Sequence, residues 1–294
     1  MNRGYWFAIA TYTLWGILPI YWKLIKAVPA LEIVSHRMLW SFVFVSLIVF
    51  YQKDWKNIRF AIKNRKTRLT FLTTAILLSA NWLIYVWAVN AGFIVETSLG
   101  YFINPLVNVV LGVVFLKEKL RLWQWIPVGI AAIGVMYLTI NYGALPWISL
   151  SLAFSFGFYG LLKKTAAINS IQGFTLETGF MFLPALSYLL FLGFTGSGSW
   201  GSGSASQTTL LICAGIATGL PLLLFGAAAK RIDLSTLGFF QYIAPTLQFL
   251  IGIFLYGEDF SQTQLVGFSL IWLALFVFSL DSWLAQKNPK AVLA

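Results

Sequence analysis

The sequence has little charge and almost no cysteine or histidine. Of its 294 residues, 10% are charged, one is cysteine and one is histidine. The lone cysteine, Cys213, excludes a disulfide framework, and the lone histidine excludes zinc centres built from several histidines. The chain also lacks the G-x-x-x-x-G-K-[ST] loop of P-loop nucleotide sites and the G-x-S-x-G motif of serine hydrolases. We therefore expect no metal, no cofactor and no enzymatic activity.

Long apolar runs fill the chain instead. Hydrophobic residues make up 59% of the sequence, and a bilayer core about 30 Å thick needs about 20 such residues per helical span. A soluble protein of this size would need a polar surface that this composition cannot supply. The pattern predicts an all-α polytopic membrane protein with ten transmembrane helices. The predicted spans are residues 5–22, 30–51, 69–90, 96–116, 123–140, 146–162, 174–193, 208–229, 235–256 and 263–283.

The positive charges collect on one side of this arrangement. Seventeen of the twenty Lys and Arg residues, including Lys163 and Lys164, lie in the N-terminus, the even-numbered loops or the C-terminus. The positive-inside rule then places both termini in the cytoplasm. The net charge of +11 is spread over these loops, which predicts contact with anionic membrane lipid and no binding of nucleic acid.

Two connections have a distinctive composition. The basic segment 53–68 predicts an amphipathic connection on the membrane surface. The Gly- and Ser-rich segment 193–206 predicts an exposed, flexible external linker without chemistry of its own.

A five-helix unit occurs twice in the sequence. The matched pairs are segment 97–102 with 235–240, Pro105 with Pro245, Gly112 with Gly252, and Glu118 with Glu258. They divide the chain into repeats 1–145 and 146–294. Because five spans is an odd number, the second repeat is predicted to be inserted upside down relative to the first. Inverted repeats of this kind are typical of alternating-access transporters.

The repeated motifs resemble a known family. Gly100-Tyr-Phe-Ile-Asn-Pro-Leu-Val-Asn108 and Thr236-Leu-Gly-Phe-Phe-Gln-Tyr-Ile-Ala-Pro245 are similar to the paired EamA domains of the drug/metabolite transporter superfamily. The segments Tyr12-Thr-Leu-Trp-Gly-Ile-Leu-Pro-Ile-Tyr21, Ser35-His-Arg-Met-Leu-Trp-Ser41 and Asn81-Trp82 resemble its RarD branch. The resemblance implies ten helices, a central cavity, and export of small metabolites or drugs across the bacterial inner membrane.

Polar side chains inside the spans mark a candidate substrate site, because such groups are costly in hydrocarbon. Span four carries Tyr101, Asn104 and Asn108 on one helical face, and span nine carries Gln241 and Gln248 at equivalent repeat positions. The alternative is that these amides join neighbouring helices. The other candidates for substrate contact are Tyr12 and Trp15 in span one, Asn81, Trp82 and Tyr85 in span three, and Tyr159 in span six.

This set of aromatic and amide groups suits planar or amphipathic organic solutes, and it favours a neutral or zwitterionic solute in a site that tolerates aromatic groups. The tryptophans have an alternative role, since Trp is also typical of interfacial belts.

Ionisable residues within the spans are the candidates for gating or coupling. They are Glu32, His36 and Arg37 in span two and Glu177 in span seven. Glu32 and His36 are one helical turn apart and are expected to pair. Proton coupling through Glu32, His36 or Glu177 is one hypothesis, and a gating or packing role is the other; Arg37 is read as a structural or gating cation. The motif Gly215-Ile-Ala-Thr-Gly219 predicts close helix packing.

These observations favour a secondary transporter of small organic solutes. A channel or a lipid scramblase is the alternative, since proline-broken helices and amide stripes suit these as well. A homodimer is left open by the sequence. Counterflow measurements distinguish a carrier, which saturates, from a channel, which conducts continuously.

Overall fold

The chain folds as a bundle of helices. The computed structural model describes residues 3–91, 93–143, 146–200, 204–257 and 261–287, and every regular element among them is helical. The helices are α1 (Arg3–Leu24), α2 (Ala30–Gln52), α3 (Trp55–Lys63), α4 (Arg65–Asn90), α5 (Ile94–Leu116), α6 (Leu122–Tyr142), α7 (Trp147–Thr165), α8 (Ser170–Thr195), α9 (Ala205–Ala229), α10 (Leu234–Gln241), α11 (Ile243–Leu250), a π-helical turn (Ile251–Leu255) and α12 (Gln262–Lys287). Glu258, predicted to pair with Glu118, lies outside the described residues.

Eight helical segments among the described residues are long and apolar enough to cross a bilayer. They are α2, α4, α5, α6, α8, α9, α12 and the segment Leu234–Leu255, which combines α10, α11 and the π-helical turn. Each coincides with a run predicted from the sequence. The predicted spans 5–22 and 146–162 form helices α1 and α7, which fall short of the same criterion. The structure is thus that of a multi-pass membrane protein.

The surface of the bundle is apolar where lipid would cover it. On α6, Ile133, Met136 and Ile140 follow one another at helical spacing and are more than half exposed. Phe254 is exposed to a similar extent on the π-helical turn. Water would disfavour so much exposed hydrocarbon, whereas a bilayer solvates it.

The basic connection after α2 forms a short helix, α3. Ile58 and Ala61 lie one turn apart and are buried, while Lys56, Arg59 and Lys63 are exposed. The prediction of an amphipathic connection over residues 53–68 is therefore confirmed for its helical part.

Proline shapes the ninth predicted span. Pro245 has no N–H to donate and its ring crowds the carbonyl four residues earlier, that of Gln241. The helix accordingly breaks at Tyr242, which separates α10 from α11. The π-helical turn that follows α11 adds a second irregularity before Tyr256.

Two glycines let helix backbones approach closely. A Cβ on Gly215 would lie 2.6 Å from the backbone oxygen of Trp40, so α9 contacts α2 directly at this point. A Cβ on Gly238 would lie 2.7 Å from the backbone oxygen of Pro105, so α10 crosses α5 there. The first contact confirms the packing role predicted for the Gly215 motif. The second joins the two segments that the sequence repeat relates.

Candidate functional site: a polar and aromatic cavity

A cavity of about 320 Å³ lies between helices of both predicted repeats. Its volume is at the lower end of the range for small-molecule sites. It is bordered by α1, α2, α4 and α5 from the first half and by α7, α9, α10 and α11 from the second. The polar and aromatic side chains at its wall are Tyr12, Trp15, Trp22, Arg37, Asn81, Trp82, Tyr85, Thr97, Tyr101, Asn104, Phe156, Thr218, Gln241 and Gln248.

Nine of the eleven side chains predicted to contact substrate border this cavity. They are Tyr12, Trp15, Asn81, Trp82, Tyr85, Tyr101, Asn104, Gln241 and Gln248. Asn108 and Tyr159 do not border it. Asn108 lies one turn beyond Asn104, where its Nδ2 donates to Asn104 Oδ1 (3.2 Å) and Gln241 Oε1 (3.0 Å). Tyr159 is fully buried beside Glu177.

Arg37 is held at the cavity wall by two indole rings. Its guanidinium carbon lies 4.7 Å from the ring centroid of Trp22 and 4.2 Å from that of Trp82. Its Nε donates to Thr218 Oγ1 at 2.9 Å, which joins α2 to α9. Cation–π contact stabilises the charge and fixes the plane of the guanidinium.

The amide side chains also join helices. Asn81 Nδ2 donates to Leu152 O and Ser155 Oγ, both at 2.9 Å, and so connects α4 to α7. Asn104 Nδ2 donates to Ala153 O at 2.6 Å and connects α5 to α7. The packing role considered as an alternative thus holds for residues that border the cavity as well.

One amide compensates for a proline. Pro19 removes the helical N–H that would reach the carbonyl of Trp15. Gln248 Nε2 donates to that carbonyl at 3.2 Å, which attaches α11 to α1. The irregular backbone is therefore satisfied by a side chain from another helix, as a membrane interior requires.

Aromatic rings form one side of the cavity. Trp15 lies 5.6 Å from both Tyr12 and Phe156, measured between ring centroids. Tyr85 and Tyr101 meet edge to face at 6.0 Å. The hydroxyl of Tyr12 is buried without a hydrogen-bond partner among the described residues.

A buried charge pair lies beneath the aromatic wall. Lys163 Nζ is 3.1 Å from Glu177 Oε2, and both side chains are 1% exposed. Tyr159 donates to the same carboxylate oxygen at 3.4 Å. Within the described part of the chain, Glu177 Oε1 has no hydrogen-bond partner. The prediction that Lys163 is a loop charge is wrong, because α7 continues to Thr165 and carries Lys163 into the core.

A second acidic residue, Glu118, follows the C-terminal end of α5. Asn104 borders the cavity, and α5 continues from it for about 18 Å at 1.5 Å per residue before it ends at Leu116. Glu118 then accepts hydrogen bonds from Leu234 N (2.7 Å), Ser235 N (3.0 Å) and Ser235 Oγ (2.7 Å). Its carboxylate thus caps the positive end of α10.

Charged groups near this cap shift the pKa values of Asp233 and Lys230. Lys164 Nζ lies 3.7 Å from Glu118 Oε1 and donates to Ile232 O at 2.6 Å. Partial burial raises the pKa of Asp233, with the Glu118 carboxylate adding to the rise and Lys164 opposing it. Partial burial lowers the pKa of Lys230, and the neighbouring Lys163 and Arg231 lower it further.

The first turns of α2 are covered by the connection after α8. Glu32 Oε1 accepts a hydrogen bond from Ser199 N at 2.7 Å and lies 3.9 Å from His36 Nε2, so the expected pairing of Glu32 with His36 is confirmed as a contact. Trp200 stacks on His36 at 5.0 Å and on Trp40 at 5.8 Å. Ser199 is partly buried because Glu32 binds its backbone N–H, so the prediction of an exposed linker is wrong there, whereas Trp200 stays 44% exposed beside the two rings.

Known proteins carry the same sequence features. The EamA-like transporter family matches residues 2–140. The protein RarD of Escherichia coli (strain K12) is 44% identical to this chain, with 98% of this chain and 97% of RarD aligned. The uncharacterized transporter YojE of Bacillus subtilis (strain 168) is 48% identical, with 96% of each chain aligned. This chain is a RarD-type member of the EamA-like transporter family. The predicted resemblance is confirmed.

The fold of this RarD-type chain also occurs in a solved crystal structure. The two chains align with a TM-score of 0.74 over 95% of this chain and 98% of the other, at 17% sequence identity. A likeness at this identity establishes the shared fold alone. Family membership and the apolar helices together indicate that the chain is a multi-pass membrane transporter, like its bacterial relatives.

Sequence reasoning missed several residues at the cavity of this RarD-type chain. Trp22, Thr218 and Phe156 border it but were not among the candidates. Thr218 lies within the Gly215 motif, whose two glycines predicted helix packing. Its hydroxyl, between those glycines in an apolar span, is the feature that could have marked it as a cavity residue. Trp22 lies at the end of the first predicted span, and its contact with Arg37 depends on tertiary structure.

Proposed function

We propose that this chain is a secondary transporter that exports small organic solutes by alternating access. The observation that carries the proposal is the polar and aromatic cavity bordered by helices from both halves of the chain. A midplane site at the interface of two repeats is the usual arrangement in secondary transporters. Family membership supports the same class of function.

The proposed architecture is ten transmembrane helices in two inverted five-helix repeats, residues 1–145 and 146–294. It counts α1 and α7 as spans in addition to the eight apolar segments. The distribution of Lys and Arg supports placement in the bacterial inner membrane with both termini in the cytoplasm. In that orientation the cavity extends from the middle of the bundle to its outer half, since Asn104 in the middle of α5 and Ala30 at the start of α2 both border it.

The cytoplasmic side is closed in this proposed state. Asn108 and Gln241 join α5 to α10 beneath the cavity, and Glu118 caps α10 at the cytoplasmic end. Transport requires these contacts to open while the outer contacts close, which is the rocking of two halves around a fixed site. The contact of Ser199 and Trp200 with Glu32 and His36 is already formed on the outer side in this state, and we expect it to rearrange when that side closes.

Proton coupling is the proposed source of energy. Glu177 Oε1, Glu32 Oε2 and His36 Nε2 are buried polar atoms without a hydrogen-bond partner among the described residues. Groups of this kind within a membrane bundle are typical of proton relays. The alternative, in which the three residues serve packing alone, predicts transport that is independent of a pH gradient.

Counterflow in proteoliposomes tests the proposal. Vesicles are loaded with a high concentration of an unlabelled solute, and uptake of the labelled solute is followed with and without a pH gradient. We expect saturable counterflow for at least one solute of a panel of organic acids, amides and amines. Vesicles that contain folded Glu177→Gln protein are expected to keep counterflow and to lose any stimulation by the pH gradient.

The alternative function, a channel or lipid scramblase, predicts a different result on the same vesicles. A channel gives flux that rises linearly with concentration and shows no counterflow, and a scramblase exchanges fluorescent lipid between leaflets. Either outcome with folded protein would contradict the carrier proposal.

A further inference from the structure

We infer that the cavity selects small organic anions: an aromatic monocarboxylate whose carboxylate binds Arg37. This inference rests on the proposed function, since it names the substrate class of the same cavity. Among the described residues that border the cavity, Arg37 is the only one with a charged side chain.

Arg37 has no acidic partner in the described part of the chain. The ion pairs found there join Asp281 to Arg121, Glu177 to Lys163, and Glu118 to Lys164, and Glu32 contacts His36. Glu32, the acid nearest in sequence, lies five positions earlier on α2 and accepts a hydrogen bond from Ser199. A cation inside a membrane bundle is costly unless an anion approaches it. A bound carboxylate would supply that anion.

The described contacts of Arg37 involve its guanidinium carbon and its Nε, and not its Nη groups. The central carbon of the guanidinium lies over the indole rings of Trp22 and Trp82, within 5 Å of each ring centroid. The Nε–H is taken by Thr218. The Nη groups of a guanidinium lie in its plane and form a fork that fits a carboxylate with two parallel hydrogen bonds.

The rest of the wall fits the body of such a solute. Trp15, Trp82 and Phe156 offer apolar faces, and Tyr101, Gln241 and Gln248 offer neutral polar groups. An aromatic ring is the natural occupant of such a wall. An ammonium group would find Arg37 repulsive and no carboxylate among the described lining residues. The lining therefore favours a substrate with a net negative charge over the neutral or zwitterionic solute expected from the sequence.

The test compares four probes that share one aromatic body. They are 3-phenylpropionate, its amide 3-phenylpropanamide, the amine 3-phenylpropylamine, and the zwitterion phenylalanine. Binding to the purified full chain in detergent is measured by calorimetry. We expect 3-phenylpropionate to bind at least tenfold more tightly than each of the other three. The amide and the amine lack the carboxylate and its charged hydrogen bonds, and phenylalanine adds an ammonium group that Arg37 repels.

Variants of Arg37 assign the effect to this side chain. Arg37→Gln is expected to weaken binding of 3-phenylpropionate by about 10- to 100-fold, as for loss of a charged hydrogen bond, and Arg37→Lys by less because the charge remains. The control is Arg231→Gln, which removes an arginine whose guanidinium carbon lies 5.1 Å from the Phe7 ring and which does not border the cavity. It should bind like the wild type.

Three results would overturn the inference. They are equal or tighter binding of the amide, amine or zwitterion, unchanged affinity in Arg37→Gln, and no binding of 3-phenylpropionate. The wild-type comparison decides the matter even if Arg37→Gln does not fold. Counterflow of a neutral or cationic solute would contradict the anion inference while leaving the carrier proposal intact, so the two fail separately.

Discussion

Lys163 and Glu177 form an ion pair that is almost completely removed from solvent. Each side chain is 1% exposed, and Nζ lies 3.1 Å from Oε2. Removing one partner of a buried pair leaves the other charge without compensation, which costs about 3–5 kcal/mol. Replacing both by apolar side chains of similar size is often neutral.

We therefore expect Glu177→Gln to lower thermal stability strongly and Lys163→Met/Glu177→Leu to restore most of it. The measurement is thermal unfolding in detergent. The control is Arg121→Gln, since the Arg121–Asp281 pair is 27% and 13% exposed and such pairs contribute about 1 kcal/mol or less. A double variant as unstable as Glu177→Gln would show that the pair itself, and not the lone charge, sets the stability.

Individual cavity residues were predictable where a polar side chain occurs within an apolar run. Asn81, Asn104, Gln241 and Gln248 stand out in this way, and all four border the cavity. Lys163 was not predictable, because its position at the end of a run looks the same whether the helix stops at residue 162 or continues to Thr165.

At the scale of helices, the contact between α2 and α9 requires that residue 215 be glycine, which has no side chain. A Cβ on Gly215 would lie 2.6 Å from the Trp40 backbone oxygen, and backbone atoms cannot move aside as a flexible side chain can. Gly129 on α6 offers the comparison, because a Cβ there would meet nothing within 4 Å.

We expect Gly215→Ala to reduce the free energy of unfolding by about 1–3 kcal/mol through overpacking. Gly129→Ala should be neutral or stabilising by up to about 1 kcal/mol, since alanine favours helix. Chemical denaturation in mixed micelles measures both. Equal stability of the two variants would contradict the close contact.

Helices were predicted better than their interruptions. Hydrophobic run length located the eight apolar segments, because a bilayer fixes that length. Pro245 alone did not predict the break at Tyr242, because a proline also occurs within α1, α5 and α9, and those helices are continuous. Whether a proline bends or breaks a helix depends on the packing around it.

At the scale of the whole molecule, ten and eight spans make opposite predictions for the loop after α1. If α1 crosses the membrane, Lys26 lies outside the cell; if it does not, Lys26 stays on the cytoplasmic side with the N-terminus. Lys26 is exposed, so a cysteine there is accessible to reagents.

We expect Lys26→Cys, in a Cys213→Ser background, to react with a membrane-impermeant maleimide on intact cells. Lys66→Cys, at an exposed position in the basic connection, should react only after permeabilisation. Labelling of Lys26→Cys solely after permeabilisation would rule out a ten-span arrangement with a cytoplasmic N-terminus.

Alternating access is the central claim, and it requires the two sides of the cavity to open in turn. Ala244 borders the cavity, so Ala244→Cys in the Cys213→Ser background reports access from each side. Glu118→Gln removes the carboxylate that caps α10, and it should favour the inward-open state. In a two-state equilibrium, a gain in one population is a loss in the other.

The decisive measurement is the rate at which an impermeant maleimide labels Ala244→Cys in oriented vesicles, from each side, with and without Glu118→Gln. Reciprocal change is the predicted result, with faster labelling from the cytoplasmic side and slower labelling from the outside. A rise in both rates together would indicate a continuous pore and would contradict alternating access.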